Sequence, residues 1–230
     1  MTTAPKPKQN RAARGGPNPK RPAPKQKRPY HHGDLARALV AAAEELLAER
    51  GPDGLTLREC ARRAGVSHAA PAHHFGDITG LLTEVAVVGF ERLTENTRRA
   101  RESATGDPAD QLFSILCAYV ETAVARPATF RLMFASDRIE RGGKLAESGA
   151  EAYRVLLETV QSVAKAAGRP APSPYSPDVT LAWSAVHGFA SLIVEKRLEH
   201  GTAIEYGGDW RARRDAVLRL FVRNFAGNGT

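Results

Sequence analysis

The segment from Thr56 to Phe75 constrains the fold more than any other part of the sequence. Its first residues, Thr56-Leu-Arg-Glu59, have the pattern of a capping box, in which the threonine hydroxyl and the glutamate carboxylate each accept a backbone N–H at the start of a helix. Gly65 predicts the end of that helix, and Ser67 is predicted to cap a further short helix ending near Phe75. Two short helices joined by a glycine turn, behind a longer first helix, are typical of a helix-turn-helix unit.

The rest of the chain is also predicted to be helical. From Asp34 onward apolar residues recur at i, i+3 and i+4, and Val, Ile and Thr never alternate with polar residues at the period of a strand. The sequence therefore predicts an all-α fold of about nine helices. The predicted segments are 33–50, 56–64, 67–75, 77–103, one from Asp107-Pro108, one from Pro127, 144–165, one from Ser176-Pro177 to Gly201, and 209–225.

Charge divides the chain into a basic tail and a nearly neutral remainder. The net charge is +8, but residues 1–29 hold nine of the 33 Lys and Arg residues, seven of the 15 prolines and none of the 25 acidic residues. We expect this tail to be disordered, because it lacks the apolar side chains that offset the entropy lost on ordering. Two interpretations of it stay open: a solubilising segment, or a mobile arm attracted to DNA phosphates.

Composition and motifs argue against several other classes of protein. Cys60 and Cys117 each fall in an apolar helical pattern, so we expect two buried thiols rather than a disulfide or a metal pair. The basic N-terminus lacks the apolar segment of a signal peptide, and no apolar run approaches the ~18 residues of a membrane span. We therefore expect a cytoplasmic protein that makes no membrane contact. Paired Glu-x-x-His motifs, nucleophile motifs and glycine-rich phosphate loops are absent, so we expect neither an enzyme nor a cofactor.

The block Gly54-Leu-Thr-Leu-Arg-Glu-Cys-Ala-Arg-Arg-Ala-Gly-Val-Ser67, followed by His74-Phe75 and Leu81-Leu82, resembles the TetR/AcrR family of bacterial transcriptional regulators. Such a series of matches is more specific than a single motif. Two shorter matches, Tyr30-His-His-Gly-Asp-Leu35 and Trp183-Ser-Ala-Val-His187-Gly188, resemble the subgroup named for a Trp-His-Gly signature in its C-terminal domain.

This resemblance implies a domain organisation and a mechanism. Residues 30–90 are expected to form the DNA-binding domain, and residues 91–230 a ligand-binding domain that dimerises through its last two long helices. The homodimer is expected to insert two recognition helices into successive major grooves of a pseudo-palindromic operator, as a repressor that an unidentified small molecule releases. A differential affinity of ~1–3 kcal/mol for the released state weakens operator binding 5–150-fold. Activation instead of repression remains an alternative.

Three residues depart from the family pattern. Ala72 stands where the family usually has a Tyr that contacts a phosphate, and Ile78 stands where a Lys usually contacts the DNA backbone. Pro71 lies in the predicted recognition helix, where only the first turn tolerates it. The loss of two phosphate contacts lowers the salt dependence of binding by ~0.9 per contact, and the basic tail is a candidate substitute.

The candidate DNA-binding residues lie at the start of the second helix and along the third. Alternatives remain for them: solvated surface for the arginines, helix propensity alone for the alanines, and packing at the helix end for His74. Adjacent histidines on a helix point about 100° apart, so no metal site is expected. The candidates are Thr56, Arg58, Ser67, His68, Ala69, Ala70, His73 and His74.

Bulky side chains of the C-terminal half are candidates for the ligand pocket. The alternative for each aromatic residue is a place in the core, and His187 is either a ligand hydrogen-bonder or a core histidine with its own partner. The candidates are Phe113, Cys117, Phe130, Met133, Phe134, Trp183 and His187. A structural protein that coats DNA is a rival function, which the basic tail favours and the acidic balance of the remainder disfavours.

Overall fold

The computed structural model describes residues 1–4, 32–135 and 137–227, so most of the tail predicted at 1–29 lies outside the described residues. Within these ranges the chain forms ten α-helices and no β-strand, which confirms the all-α fold. The helices are α1 (His32–Arg50), α2 (Leu57–Ala64), α3 (Ala70–Phe75), α4 (Ile78–Ser103), α5 (Pro108–Ala125), α6 (Pro127–Ala135), α7 (Gly143–Ala166), α8 (Pro177–Val194), α9 (Glu199–Tyr206) and α10 (Trp210–Gly227).

Local signals set the ends of the first helices. Gly51 follows α1 at φ 70°, and a single 3₁₀ turn over Pro52–Gly54 leads to α2. The Thr56 hydroxyl oxygen accepts a hydrogen bond from the Glu59 N–H at 3.2 Å, and so caps α2 as predicted. Gly65 ends α2 at φ 66°, where the left-handed conformation favours glycine.

Only half of the predicted capping box forms. The Glu59 carboxylate accepts hydrogen bonds from the Arg62 side chain at 2.7 and 3.1 Å instead of one from the Thr56 N–H. A bidentate, charge-assisted pair with arginine is stronger than a bond to a neutral amide. The prediction of a reciprocal box was therefore wrong for its glutamate.

The third helix begins later than predicted. Ser67 was expected to cap it, but α3 starts at Ala70 and Ser67 lies in the preceding turn, where its carbonyl accepts the Ala70 N–H at 3.1 Å. Pro71 explains the difference, because a helix running back to Ser67 would need a Pro71 N–H and would bring its ring against the Ser67 carbonyl. Starting at Ala70 places Pro71 in the first turn, which tolerates it.

One helix was missed in the C-terminal half. Gly201 was expected to end the helix that follows Ser176, but α8 ends at Val194, before Lys196 at φ 60°, and Gly201 lies inside the separate helix α9. Pro177 starts α8 as predicted, although the Ser176 hydroxyl caps nothing and has no hydrogen-bond partner. For this reason the described residues form ten helices rather than the predicted nine.

The helix α4 connects the two halves of the chain. Its N-cap is Asp77, whose Oδ1 accepts the Gly80 N–H at 2.9 Å. The helix packs against α1 and α3 at its start and against α5, α6 and α7 further along. The predicted domain boundary at residue 90 falls inside α4, and it stays a prediction.

The helix α5 occupies the centre of the C-terminal half, where it packs against α4, α7, α8 and α10. The two thiols are free: Cys60 is buried under α1, and Cys117 is half-buried beside α10. In the part of the chain that the structure covers, no helix has the length and apolarity needed to cross a membrane.

Candidate nucleic-acid interface and apolar cavity

Small and polar side chains form the outer surface of the helix-turn-helix. Four of the predicted residues around α3 are exposed, and two are half-buried. The exposed ones are Ser67, His68, Ala69 and His73, and the half-buried ones are Ala70 and His74. The ring of His74 contacts the rings of its two neighbours, His73 and Phe75.

The departures from the family pattern also lie at this surface. Ala72 is exposed on α3, and Ile78 is half-buried against the core. Neither side chain is able to donate a hydrogen bond to a phosphate.

The structure separates the three arginines of α2. Arg62 is bound to Glu59, and Arg63 donates to Glu49 at 2.7 and 2.9 Å and to Glu45 at 3.1 Å. These hydrogen bonds lower the pKa of Glu49 and Glu59 and raise that of Arg63. Arg58 is exposed and forms no ion pair with any residue that the structure describes. Of the three, it is the one whose guanidinium has no carboxylate partner in the described ranges, so it is the most available to another molecule.

The described histidines of this surface do not assemble a metal site. Across residues 32–135 and 137–227, no group of three or more His, Cys, Asp or Glu side chains is placed to hold a metal ion. His31 lies outside the described residues, as does the side chain of His32.

An apolar cavity of about 590 Å³ lies between α4, α5, α6, α7 and α8. Its size is typical of small-molecule sites, which run from ~300 to 1,000 Å³. The wall is mainly aliphatic and aromatic, and it includes a shelf of three aromatic rings in mutual contact. Tyr175 stacks on Tyr153 with ring centroids 5.5 Å apart, and Tyr153 meets Trp183 edge-on at 5.9 Å.

The seven predicted ligand residues fall into three groups. Met133, Phe134 and Trp183 line the cavity. Phe130 and His187 lie behind the wall, in ring contact with Phe134 at 5.1 and 4.6 Å.

Phe113 and Cys117 lie elsewhere, on the side of α5 that faces α10. There Arg219 covers the Phe113 ring at 4.1 Å, and the Cys117 thiol lies 3.8 Å from Asp215 Oδ1. Burial raises the pKa of this thiol to about 12, so it stays protonated at neutral pH.

Tyr119 is a functional candidate that sequence reasoning missed. Its hydroxyl lies 2.9 Å from His187 Nδ1. The Trp183 side chain acts on the same hydroxyl, where it lowers the pKa of Tyr119 against the raising effect of burial. Burial lowers the pKa of His187, which keeps the ring neutral and lets Nδ1 accept the Tyr119 O–H. A tyrosine inside the apolar stripe of α5 was the available signal, since a buried phenol needs polar partners. Trp183 and His187 thus converge on one hydroxyl.

A network of polar contacts joins α1 to the helices around the cavity. Glu44 on α1 accepts hydrogen bonds from Arg92 on α4 at 2.8 and 3.2 Å, and from the Thr129 hydroxyl on α6 at 3.3 Å. Where α4 and α6 cross, Gly89 permits the approach, because a Cβ there would lie 2.6 Å from Met133 Sδ. A shift of α6 against α4 therefore changes the surroundings of a residue in the helix-turn-helix.

Comparison with known protein families assigns the chain to a family. Residues 39–85 match the model of bacterial regulatory proteins of the tetR family, and residues 112–210 match that of the tetracyclin repressor-like C-terminal domain. The two matched segments together cover more than half of the chain. The chain belongs to the TetR family. These TetR-family models describe regulatory proteins and not enzymes.

Curated relatives of this TetR-family chain match its N-terminal part. The HTH-type transcriptional regulator BetI of Stenotrophomonas maltophilia is 36% identical over 78 residues, which are 34% of this chain and 40% of the relative. BetI of Burkholderia cenocepacia is 33% identical over 96 residues, 41% of this chain and 50% of the relative. The chain thus spans half or less of the length of the curated relatives it matches.

Solved structures of the same fold align over most of the chain. A Rhodococcus sp. RHA1 protein of unknown function is 34% identical with a TM-score of 0.67, covering 87% of this chain and 97% of that one. FadR of Bacillus subtilis, solved in complex with stearoyl-CoA, has a TM-score of 0.62 at 14% identity, covering 81% of this chain and 97% of that one. At that identity the likeness to FadR extends to the fold alone.

Proposed function

We propose that this protein is a transcriptional regulator that binds an operator as a homodimer and releases it when a small molecule enters the cavity. The observation that carries the proposal is the exposed helix-turn-helix surface joined through α4 to an apolar cavity. Its site of action is then the bacterial nucleoid, in the cytoplasm. Repression is the favoured mode, because ligand entry beside α4 and α6 disturbs the contacts of α1.

The DNA-facing side combines base readout with backbone contacts. The turn and first residues of α3 carry Ser67, His68 and Ala69 into the major groove, where the alanine methyl contacts thymine methyl groups. His73 adds a hydrogen-bonding group one turn further along. Arg58 and the Thr56 end of α2 contact phosphates.

The dimer interface is proposed on α8 and α10. On α8 the exposed Leu181 and Leu192 share one stripe with Gly188, whose missing side chain admits a close helix neighbour. On α10 Val217 and Leu220 are exposed as well. Both helices pack against α5, and exposed apolar residues on two such helices are typical of a subunit interface.

Selection from fragmented genomic DNA tests the proposal. The full chain is incubated with fragments at low salt, and bound fragments are sequenced and then footprinted. We expect enrichment of a short inverted repeat, with two protected half-sites about one helical turn apart. A continuous footprint without sequence preference would favour the DNA-coating function, and the absence of retained DNA would refute both.

Light scattering with a matched variant pair tests the dimer. We expect Leu181→Glu combined with Leu192→Glu to give monomers with weakened operator binding. Ser162→Glu, an exposed change on α7, should leave the dimer intact. A wild-type monomer that still protects two half-sites would contradict this interface.

A further inference from the structure

We propose that the effector is an apolar carboxylate whose hydrocarbon body fills the cavity and whose carboxylate lies at the rim beside Arg141 and Arg154. The inference rests on the proposed function, since it names the chemistry of the same regulatory site. Three features of the cavity carry it: an apolar interior, hydrogen-bonding groups that are already partnered, and a rim whose charge is positive.

The interior accommodates an apolar body. Helix α4 contributes Phe90 and Leu93, α5 contributes Ile115 and Leu116, and α7 contributes a further row of aliphatic side chains. Burial of a ligand's hydrocarbon against this wall removes apolar surface from water on both sides, which is the main source of affinity in such a site.

The polar groups of the interior are already engaged. Thr97 donates its hydroxyl to the Leu93 carbonyl at 2.8 Å, and the Tyr119 hydroxyl lies between His187 and Trp183. The Tyr153 hydroxyl accepts the Tyr175 N–H at 3.2 Å. A charged head group placed inside would lose its hydration and gain at most the Tyr153 O–H as a donor, so the charged end of a ligand belongs at the rim.

The positive charge of the rim favours a negatively charged end of the ligand. Arg141 and Arg154 are the charged side chains of the lining, and no Asp or Glu within the described ranges lines the cavity. Arg154 is bound to Glu151, but the same carboxylate also accepts from Arg98. Two guanidinium groups share one carboxylate, which leaves a net positive charge, and guanidinium is well suited to pair with a carboxylate.

Calorimetric titration of the full chain with three probes of one chain length tests this. The probes are dodecanoate, dodecan-1-ol and dodecyltrimethylammonium, all at concentrations below micelle formation. We expect dodecanoate to bind at least tenfold more tightly than either of the others. Equal or tighter binding of the alcohol or the ammonium ion, or no binding of dodecanoate, would overturn the proposal.

Rim variants locate the carboxylate. Arg141→Gln and Arg154→Gln are each expected to weaken dodecanoate binding about 3- to 10-fold, with dodecan-1-ol unaffected. Arg154→Lys should recover part of the lost dodecanoate affinity. Arg99→Gln, an exposed change on α4 outside the lining, should change the affinity for neither dodecanoate nor dodecan-1-ol. Unchanged dodecanoate affinity in the double Gln variant would overturn the placement. These titrations contain no DNA, so their failure is separate from a failure to bind an operator.

Discussion

The helix-turn-helix and the cavity region differ in how completely they are packed. In the first, Leu39, Leu46 and Leu47 of α1 are almost fully buried, and side-chain caps fix the starts of α2 and α4. In the second, five helices border an open cavity of about 590 Å³ that no side chain fills. A closed core holds one geometry, whereas an unfilled one has room to change on ligand entry. The difference fits a rigid DNA-binding unit attached to a responsive sensor.

The largest expected difference is in the cost of truncating a core side chain. Leu46→Ala leaves a void in the closed core, and we expect a loss of about 3–5 kcal/mol in the free energy of unfolding. Met133→Ala enlarges an existing cavity, whose wall already lacks partners on one side, and should cost no more than ~2 kcal/mol. Urea denaturation of both variants checks this. A cost for Met133→Ala that equals or exceeds that of Leu46→Ala would break the comparison.

The next effect concerns the charges that face DNA. Arg58→Gln should weaken operator binding several-fold and lower the slope of log K against log salt by about 1, since it removes one phosphate contact. Arg62→Gln is the matched control on the same helix, because that guanidinium is already bound to Glu59. Fluorescence anisotropy at several salt concentrations measures both. Equal losses of operator affinity in the two variants would show that the ion pairs of α2 do not decide which arginine contacts DNA.

A smaller effect is expected where the two regions meet. A double-mutant cycle with Glu44→Gln and Arg92→Gln should give a coupling energy of about 1 kcal/mol in unfolding, since this bidentate pair is partly buried. The exposed Glu95–Arg99 pair on α4 is the control, for which ~0.3–0.5 kcal/mol is expected. If the two cycles agree within error, the Glu44 network does not join the regions.

The smallest effect is a pH dependence inside the sensor. Burial lowers the folded-state pKa of His187 below its ordinary value of 6.5, so the unfolded chain binds a proton more readily than the folded one. The contribution of His187 is thus fully present above pH 6.5 and is lost as the pH falls below it. We expect His187→Gln, which retains an acceptor for Tyr119, to reduce the loss of stability between pH 7.5 and 5.5. Identical pH profiles for wild type and variant would contradict the neutral, buried ring.

Local patterns in the sequence were sufficient to predict the positions of most helices. They were insufficient to predict which side chains form the sites. Periodicity, Asp77 and Gly65 placed α1, α2 and α4, because caps and glycine turns act over a few residues. Helix α3 starts late because of Pro71, whose effect on the preceding turn was underestimated. Helix α9 was missed because no side-chain cap marks its start in the sequence.

The cavity depends on contacts between residues far apart in the chain. The meeting of Tyr119 with Trp183 and His187 joins α5 to α8, and no spacing within either helix reveals it. For the same reason the sequence did not show that Phe113 faces α10, nor that Arg63 is bound to two glutamates of α1. Long-range packing decides which of several equivalent side chains is available to a ligand or to DNA.

The most direct test of the central claim is the affinity of the recognition surface for selected operator DNA. His68→Ala and His73→Ala change exposed side chains, so the fold should be preserved. In anisotropy titrations at fixed salt, we expect the double variant to bind the selected inverted repeat at least tenfold more weakly, while Arg99→Gln binds it like the wild type. Operator affinity unchanged in the double variant would contradict the assignment of α3 and its preceding turn as the DNA-reading element.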